Sequence, residues 1–422
     1  MLVELSTSKN RQRILFVNPI IYDICGTHYR MNPCLAAPLL TAILRKNGHK
    51  AWSLDAEALQ LNIEDWLKRQ EQPDVIGITV TYLNRNGVKR FLKQVKNKWN
   101  NTYYIGGGPH ATACPKETLA LGFDAIVTGE ADNIITELVD EHPKGILQQE
   151  DITRDLNSLP FPDFNHHIPN PSYYNGNEPF CEHPEGISIW SRGCPSHCLF
   201  CSHPVYQLKP VRFMSPNRIY AEIKNLKDNF GIKHVFVYSD ELIGMSKKQN
   251  NWIVDVCKEV APLKLTYKTQ GRCSKYSTLE TFEAMYDAGF KWVFWGIESL
   301  SQKVLTALKK GTKIDDIWRT LRLARKAKIN NLGFFMVGCL EEETEDYNET
   351  YKGVTEMLKE GLLQRKQVTI MTAEPGSRLY DIAKDKGWLR KLKGRAHYTP
   401  HLAMPWASRK EIAERQRALS NL

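Results

Sequence analysis

Residues Ser191-Arg192-Gly193-Cys194-Pro195-Ser196-His197-Cys198-Leu199-Phe200-Cys201 place three cysteines within eleven residues, spaced Cys-x3-Cys-x2-Cys. A structural zinc site closes its shell with four protein ligands, and an iron–sulfur cluster that only stores electrons is usually held by four cysteines. Three thiolates on one tight loop leave a fourth position open, which suits a cluster whose last iron binds a small molecule. The alternative is three cysteines that lie close together without a metal. Gly193 beside the first of them lets backbone donors reach the cluster's sulfides, and such donors tune its potential.

The elements around this loop alternate strand with helix. From Gly186 onward, strand patterns fall at 187–190, 234–239, 264–269, 292–296, 331–337 and 368–372, with helical patterns such as 216–229, 279–288 and 314–328 between them. Six such units are too few for a closed eight-stranded barrel, and in barrels of parallel strands the reactive groups project from the carboxyl ends. The first 140 residues alternate in the same way, with strands at 14–18, 51–55, 75–80, 103–105 and 125–127 and helices such as 35–47 and 87–98. That pattern predicts a doubly wound, Rossmann-like parallel sheet whose ligand lies beyond the strand ends. Between the two, residues 146–185 carry Asp155-Leu156-Asn157-Ser158-Leu159-Pro160-Phe161-Pro162 and no clear period, as a linker would. The expected domains are therefore 1–145, 146–185 as linker, 186–380, and a basic helical segment at 381–422.

A length of 422 residues exceeds one ordinary core, and 42% hydrophobic with 25% charged residues is a globular composition. No apolar run reaches the roughly 18 residues that a membrane span needs, and residues 1–13 are too polar for a signal peptide. Cys25, Cys34, Cys114, Cys181, Cys257, Cys273 and Cys339 are scattered singly, which argues against a disulfide framework and for a reducing, cytoplasmic setting. The formal charge of +10 admits nucleic acid or an anionic ligand. Part of it is local, since residues 381–422 hold ten Lys and Arg against four Asp and Glu, which reads as a solvated helical surface.

The cysteine spacing resembles that of the radical S-adenosylmethionine (SAM) enzymes. The resemblance implies a 4Fe-4S cluster on Cys194, Cys198 and Cys201, with SAM on the open iron, in a partial (βα)6 barrel. It also implies an electron donor such as flavodoxin or ferredoxin. Later strand ends carry further matches. Tyr238-Ser239-Asp240-Glu241 resembles the acidic segment that binds the SAM amino group, where adjacent carboxylates gain from a cationic ligand; an exposed helix start is the alternative. Gln270-Gly271-Arg272 places an arginine able to fork onto the SAM carboxylate, although a surface arginine reads the same way. Gly296-Ile297-Glu298-Ser299 is close to the family's Gly-Ile-Glu-Ser, with Glu298 accepting from the ribose hydroxyls. Lys309-Lys310-Gly311 follows it. Gly338 stands where family backbone reaches the adenine, but Cys339-Leu340-Glu341-Glu342-Glu343-Thr344 departs from the usual Gly-Leu-Pro-Gly-Glu, which leaves open whether Cys339 is a catalytic group or a buried cysteine. Pro375-Gly376-Ser377-Arg378-Leu379-Tyr380 matches the turn that caps the barrel.

The N-terminal segment resembles the cobalamin-binding domain that precedes many radical SAM domains. The match lies in Asn18-Pro19, Pro38-Leu39-Leu40, Gly107-Gly108-Pro109-His110-Ala111-Thr112 and Gly129-Glu130. It implies cobalamin contacts from those strand ends and from Tyr82, Leu83 and Asn84 beneath the corrin. No Asp-x-His-x-x-Gly occurs, and His28, His49 and His110 lack that context, so the cobalt is expected without a lower histidine. The combination implies methyl transfer to an unactivated carbon of a small molecule or peptide through a 5′-deoxyadenosyl radical. A non-methylating enzyme of the same architecture (a cyclase or ring contraction) is the alternative. A radical methylthiotransferase on tRNA or protein fits less well, because the glycine-rich loop does not belong to its pattern and the tail is short for an RNA-binding domain. A cobalamin sensor would need no cluster.

Overall fold

The computed structural model describes residues 11–20, 33–174, 180, 182–202, 210–390 and 397–422. Cys25, His28 and Cys181 lie outside the described residues. The chain divides into two compact units, one of Met1–Arg154 with Ser158–Asn170 and one of Asp155–Asn157 with Pro171–Leu422. Among the described residues no helix is long and apolar enough to cross a membrane.

In the N-terminal unit the strands are β1 (Arg13–Asn18), β2 (Lys50–Asp55), β3 (Val75–Thr79), β4 (Tyr103–Gly107), β5 (Ala125–Thr128), β6 (Gly145–Gln148) and β7 (His167–Ile168). They form one parallel sheet in the order β6-β5-β4-β3-β1-β2-β7. Strand order reverses between β1 and β3, the switch point at which such sheets open a crevice. Leu15, Val17, Ile76 and Ile78 bury against Phe91, Leu92, Val95 and Trp99. Strands β6 and β7 are edge strands of four and two residues. They are too short to leave a period in the sequence, and both draw on residues expected as linker.

In the C-terminal unit the strands are β8 (Glu185–Ser188), β9 (Ser191–Arg192), β10 (Arg212–Phe213), β11 (His234–Val237), β12 (Thr266–Gly271), β13 (Phe290–Glu298), β14 (Asn330–Val337) and β15 (Arg365–Ile370). Strands β8, β11, β12, β13, β14 and β15 form an open parallel sheet in that order, and β9 pairs with β10 on its own. One face packs on helices, as where Trp295 meets Phe282 edge-on and donates from Nε1 to Asn331 Oδ1 at 2.8 Å. On β8 and β12, Glu185 and Lys268 form an ion pair and are 0% and 1% exposed. Buried with them, His234 has its pKa pushed down to about 3 by burial and by the Lys268 charge.

The basic tail is not simply a solvated surface. Its last helix, Arg409–Asn421, packs against β14 and β15 and buries Ile412, Arg415 and Leu419. Ile412, Arg415 and Leu419, spaced three and four apart, turn one face to the sheet.

Candidate active site

The cysteine loop leaves β9 and is fastened from the end of β11. Ser239 Oγ accepts from Trp190 N at 3.1 Å and Ser191 N at 3.2 Å, and Asp240 Oδ2 accepts from Gly193 N at 2.6 Å. Leu199 N donates to Leu308 O at 3.0 Å, and Leu379 N donates to Leu199 O at 2.8 Å. These bonds tie the loop to the segments that follow β13 and β15. Cys198 is buried, whereas Cys194 and Cys201 are half-buried.

Beside the loop the strand ends assemble alternating charges. Glu241 Oε2 accepts from Arg272 Nε at 3.4 Å. Arg272 Nη1 donates to Lys310 O at 2.6 Å, and its Nη2 to Cys198 Sγ at 3.5 Å. Lys310 Nζ donates to Glu298 Oε1 at 2.9 Å, with both side chains at most 10% exposed. Burial raises the Glu241 pKa, against the pull of Arg272 and Lys310. Burial works against the Lys310 charge, yet Glu298 and Cys198 outweigh it and the ammonium is held on. Burial also raises the Cys194 thiol.

Glu298 sits at φ 69°, a left-handed backbone that is uncommon outside glycine, where the β13–β14 register slips between Gly296 and Glu298. A bulge of this kind re-aims a side chain. A Cβ at Gly296 would stand 2.9 Å from both Glu298 Oε1 and Lys310 Nζ, so glycine makes room for the pair. Ser299 turns instead toward Thr350 Oγ1 at 3.0 Å and does not join the ring. The sequence pairs Ser239, Asp240 and Glu241 as one acidic segment; the structure splits them, with two fastening the cysteine loop and Glu241 in the ring. Gln270 is half-buried at the end of β12. Gly338 is buried with its N–H given to Glu342 Oε1 at 3.1 Å. The Cys339 thiol is 0% exposed, donates to Met336 O at 3.6 Å and is raised well above the ordinary range by burial and by Glu342.

In the N-terminal unit three loops converge beyond β3, β4 and β5. Asn84 Oδ1 accepts from Thr81 N at 2.8 Å and its Nδ2 donates to Thr79 O at 2.9 Å, closing the loop that holds Tyr82 and Leu83. The Arg85 guanidinium lies 4.2 Å from the Tyr82 ring centroid. Gly108 adopts φ 97°, and a Cβ there would stand 2.9 Å from Thr79 Cγ2. After it Pro109 starts a short helix, and His110 N donates to Val80 O at 3.0 Å. His110 is buried, with Nε2 3.5 Å from Glu117 Oε1. Thr112 Oγ1 accepts from Gly129 N at 3.0 Å, joining the β4 and β5 loops, with Glu130 following half-buried. Asn18 Nδ2 donates to Asp55 Oδ1 at 2.7 Å, tying β1 to β2, and Pro19 is buried after it.

Two family models match the chain, the Radical SAM superfamily over residues 188–353 and the B12 binding domain over residues 28–139. This chain is a cobalamin-dependent radical SAM enzyme. It is 27% identical over 92% of its length to an uncharacterized methyltransferase of Pyrococcus horikoshii, covering 86% of that protein. It is 25% identical over 78% of its length to the bacteriochlorophyllide d C-8(2)-methyltransferase of Chlorobaculum tepidum, covering 73% of it. The fold matches the radical SAM methyltransferase TsrM of Kitasatospora setae, solved with cobalamin and a [4Fe-4S] cluster, at TM-score 0.69 and 17% identity over 91% of this chain and 80% of that one.

The residues of this radical SAM enzyme fit the groups its class uses. The three thiols of the loop leave one ligand position of a cluster open, and Arg272 Nη2 already places a donor on Cys198 Sγ at 3.5 Å. The strand-end ring offers the Glu241 carboxylate and the Arg272 guanidinium to a zwitterion, and Gly108 lets the β4 loop close on the end of β3, where a Cβ would meet Thr79 Cγ2 and Val80 O. Two contributors were not assigned from sequence. Lys310 stands in Lys309-Lys310-Gly311, but only the chain path shows that Lys309 is exposed and Lys310 buried. Thr112 lies inside the glycine-rich motif, and its task depends on β5 lying alongside.

Proposed function

We propose that the enzyme is a methyltransferase that places a methyl group on an unactivated carbon of a small molecule or peptide. When bound, the cluster and SAM supply a 5′-deoxyadenosyl radical that removes a substrate hydrogen atom, and cobalamin carries the methyl group that replaces it. Cys194, Cys198 and Cys201 would hold the cluster as thiolates, and Arg272 Nη2 keeps a donor on Cys198 Sγ. Glu241 takes the SAM ammonium and Arg272 its carboxylate, their mutual pairing at 3.4 Å giving way to the zwitterion. Lys310 occupies Glu298 Oε1 and leaves Oε2 to accept from the ribose hydroxyls. The loops at Asn18–Pro19, Tyr82–Asn84, Gly107–His110 and Gly129–Glu130 seat the corrin. A flavodoxin or ferredoxin supplies electrons in a reducing, cytoplasmic setting.

The observation that carries this reading is the ring of opposed charges, Glu241, Arg272, Lys310 and Glu298, assembled around Cys198 in a chain that also has a cobalamin domain. The test is anaerobic reconstitution with iron, sulfide and cobalt counts, followed by incubation with SAM and a reductant. About four iron and one cobalamin per chain are expected, with S-adenosylhomocysteine formed in proportion to bound cobalamin. Release of 5′-deoxyadenosine without S-adenosylhomocysteine would sink the methyl-transfer reading. About eight iron without cobalt would point to a methylthiotransferase.

A further inference from the structure

The turn after β14 is gripped by the C-terminal segment at three places. Glu342 reaches back over it, Oε1 accepting from Gly338 N at 3.1 Å and Oε2 from Cys339 N at 3.5 Å. Arg415 of the last helix holds that carboxylate, Nη1 donating to Glu342 Oε1 and to Glu342 O, both at 3.3 Å, and Nη2 to Thr344 Oγ1 at 3.1 Å. The Arg415 and Glu342 side chains are 9% and 3% exposed, and the guanidinium lies 5.4 Å from the Tyr347 ring centroid. From the segment before that helix, Trp406 Nε1 donates to Cys339 O at 2.8 Å. Ile412 closes on Gly338 itself, so that a Cβ at this φ 68° glycine would stand 2.9 Å from Ile412 Cγ2.

Each grip is directional, and together they fix the turn by its N–H groups, its carbonyl and its van der Waals surface. A carboxylate that bridges two successive N–H groups holds them rigidly, provided its buried charge is matched. The match comes from a helix more than 70 positions further on.

We propose that Arg415 is a positioning residue for SAM, holding through Glu342 the Gly338–Cys339 backbone against which the adenine lies. This rests on the reading that Gly338 lies at the nucleoside. The C-terminal helix is then part of the cofactor pocket, and an exchange in it is felt at SAM without touching the cluster.

The test uses the full chain with its cluster reconstituted and measures binding of S-adenosylhomocysteine by calorimetry, with iron content and cobalamin affinity as controls. Arg415→Leu is expected to weaken S-adenosylhomocysteine about tenfold, the size of effect expected from one charge-assisted hydrogen bond, with iron and cobalamin unchanged. Arg415→Lys should recover most of the loss. Gly338→Ala reports on the underlying reading. If it weakens binding while Arg415→Leu does not, the turn meets the nucleoside but the clamp is not needed, and the proposal falls alone. If neither variant changes affinity, the adenine does not lie at the turn, and both fall. Should Arg415→Leu fail to fold, Glu342→Gln decides, since it keeps the shape and removes the charge. Weaker binding at full iron content then supports the clamp, and unchanged binding overturns it.

Discussion

Replacing Lys310 by methionine isolates what the Glu298 pair contributes. The Nζ to Oε1 separation of 2.9 Å corresponds to a gross attraction of about 6 kcal/mol at an effective dielectric of about 20. Most of that only offsets the cost of removing both charges from water, so the intact pair is not worth its Coulomb term. Losing one partner is different, because it strands a buried carboxylate at a residue already in left-handed backbone. Lys310→Met is therefore expected to cost about 3–5 kcal/mol. Adding Glu298→Gln should return part of this, because a neutral amide needs no counter-charge. Two compact units make a single global transition a poor measure. Hydrogen exchange under urea, followed on peptides of β13 with β3 as an internal control, separates them. The shift should appear on β13 and leave β3 unchanged. A loss below about 1 kcal/mol, or a double variant as unstable as the single one, would refute the claim that this pair is a buried, mutually dependent unit.

Cys198→Ala should abolish cleavage of SAM to 5′-deoxyadenosine and lower bound iron, and formation at the original rate would remove the loop from the chemistry. Cys339→Ala should leave SAM cleavage within about twofold, because its buried thiol is kept protonated and turned to Met336 O; a loss of orders of magnitude would make it catalytic. Gly108→Ala forces a Cβ onto φ 97° and into Thr79 Cγ2, costing about 1–2 kcal/mol locally and weakening cobalamin binding in an absorbance titration. His234 titrates near 6.5 unfolded and about 3 folded. The unfolded chain therefore binds the extra proton between those values, and the stability present above pH 6.5 drains away as pH falls toward 3. Removing it with His234→Gln should flatten the acid limb of the stability that hydrogen exchange reads on β11 peptides by up to about 1.4 kcal/mol per pH unit, and an unchanged limb would show that His234 is not the group responsible.

Much of this enzyme could be read locally. The Cys-x3-Cys-x2-Cys loop, the Gly-Ile-Glu-Ser segment and the glycine-rich loops are short stretches whose meaning depends on residue type and spacing. Strand–helix alternation announced both parallel sheets, because buried parallel strands are apolar throughout and their crossover helices carry a 3.6-residue period. Strands β6 and β7 were not legible, since edge strands of four and two residues leave no period. Nor could the Ser239-Asp240-Glu241 run be divided, as its side chains diverge only once the cysteine loop lies beside β11.

The residue types and spacings by themselves determined the class of chemistry: a three-thiol loop, carboxylates and an arginine at strand ends, and glycines where backbone must come close. Tertiary structure alone decided which groups of that inventory work together. Lys310 rather than Lys309 turns inward to Glu298, Ser299 turns away from the ring to the buried Thr350, and Arg415 reaches Glu342 across 73 positions of sequence. The physical reason is that a charge's role depends on its burial and its partner. Those follow from which strands and helices lie side by side, a relation that no local stretch of sequence contains.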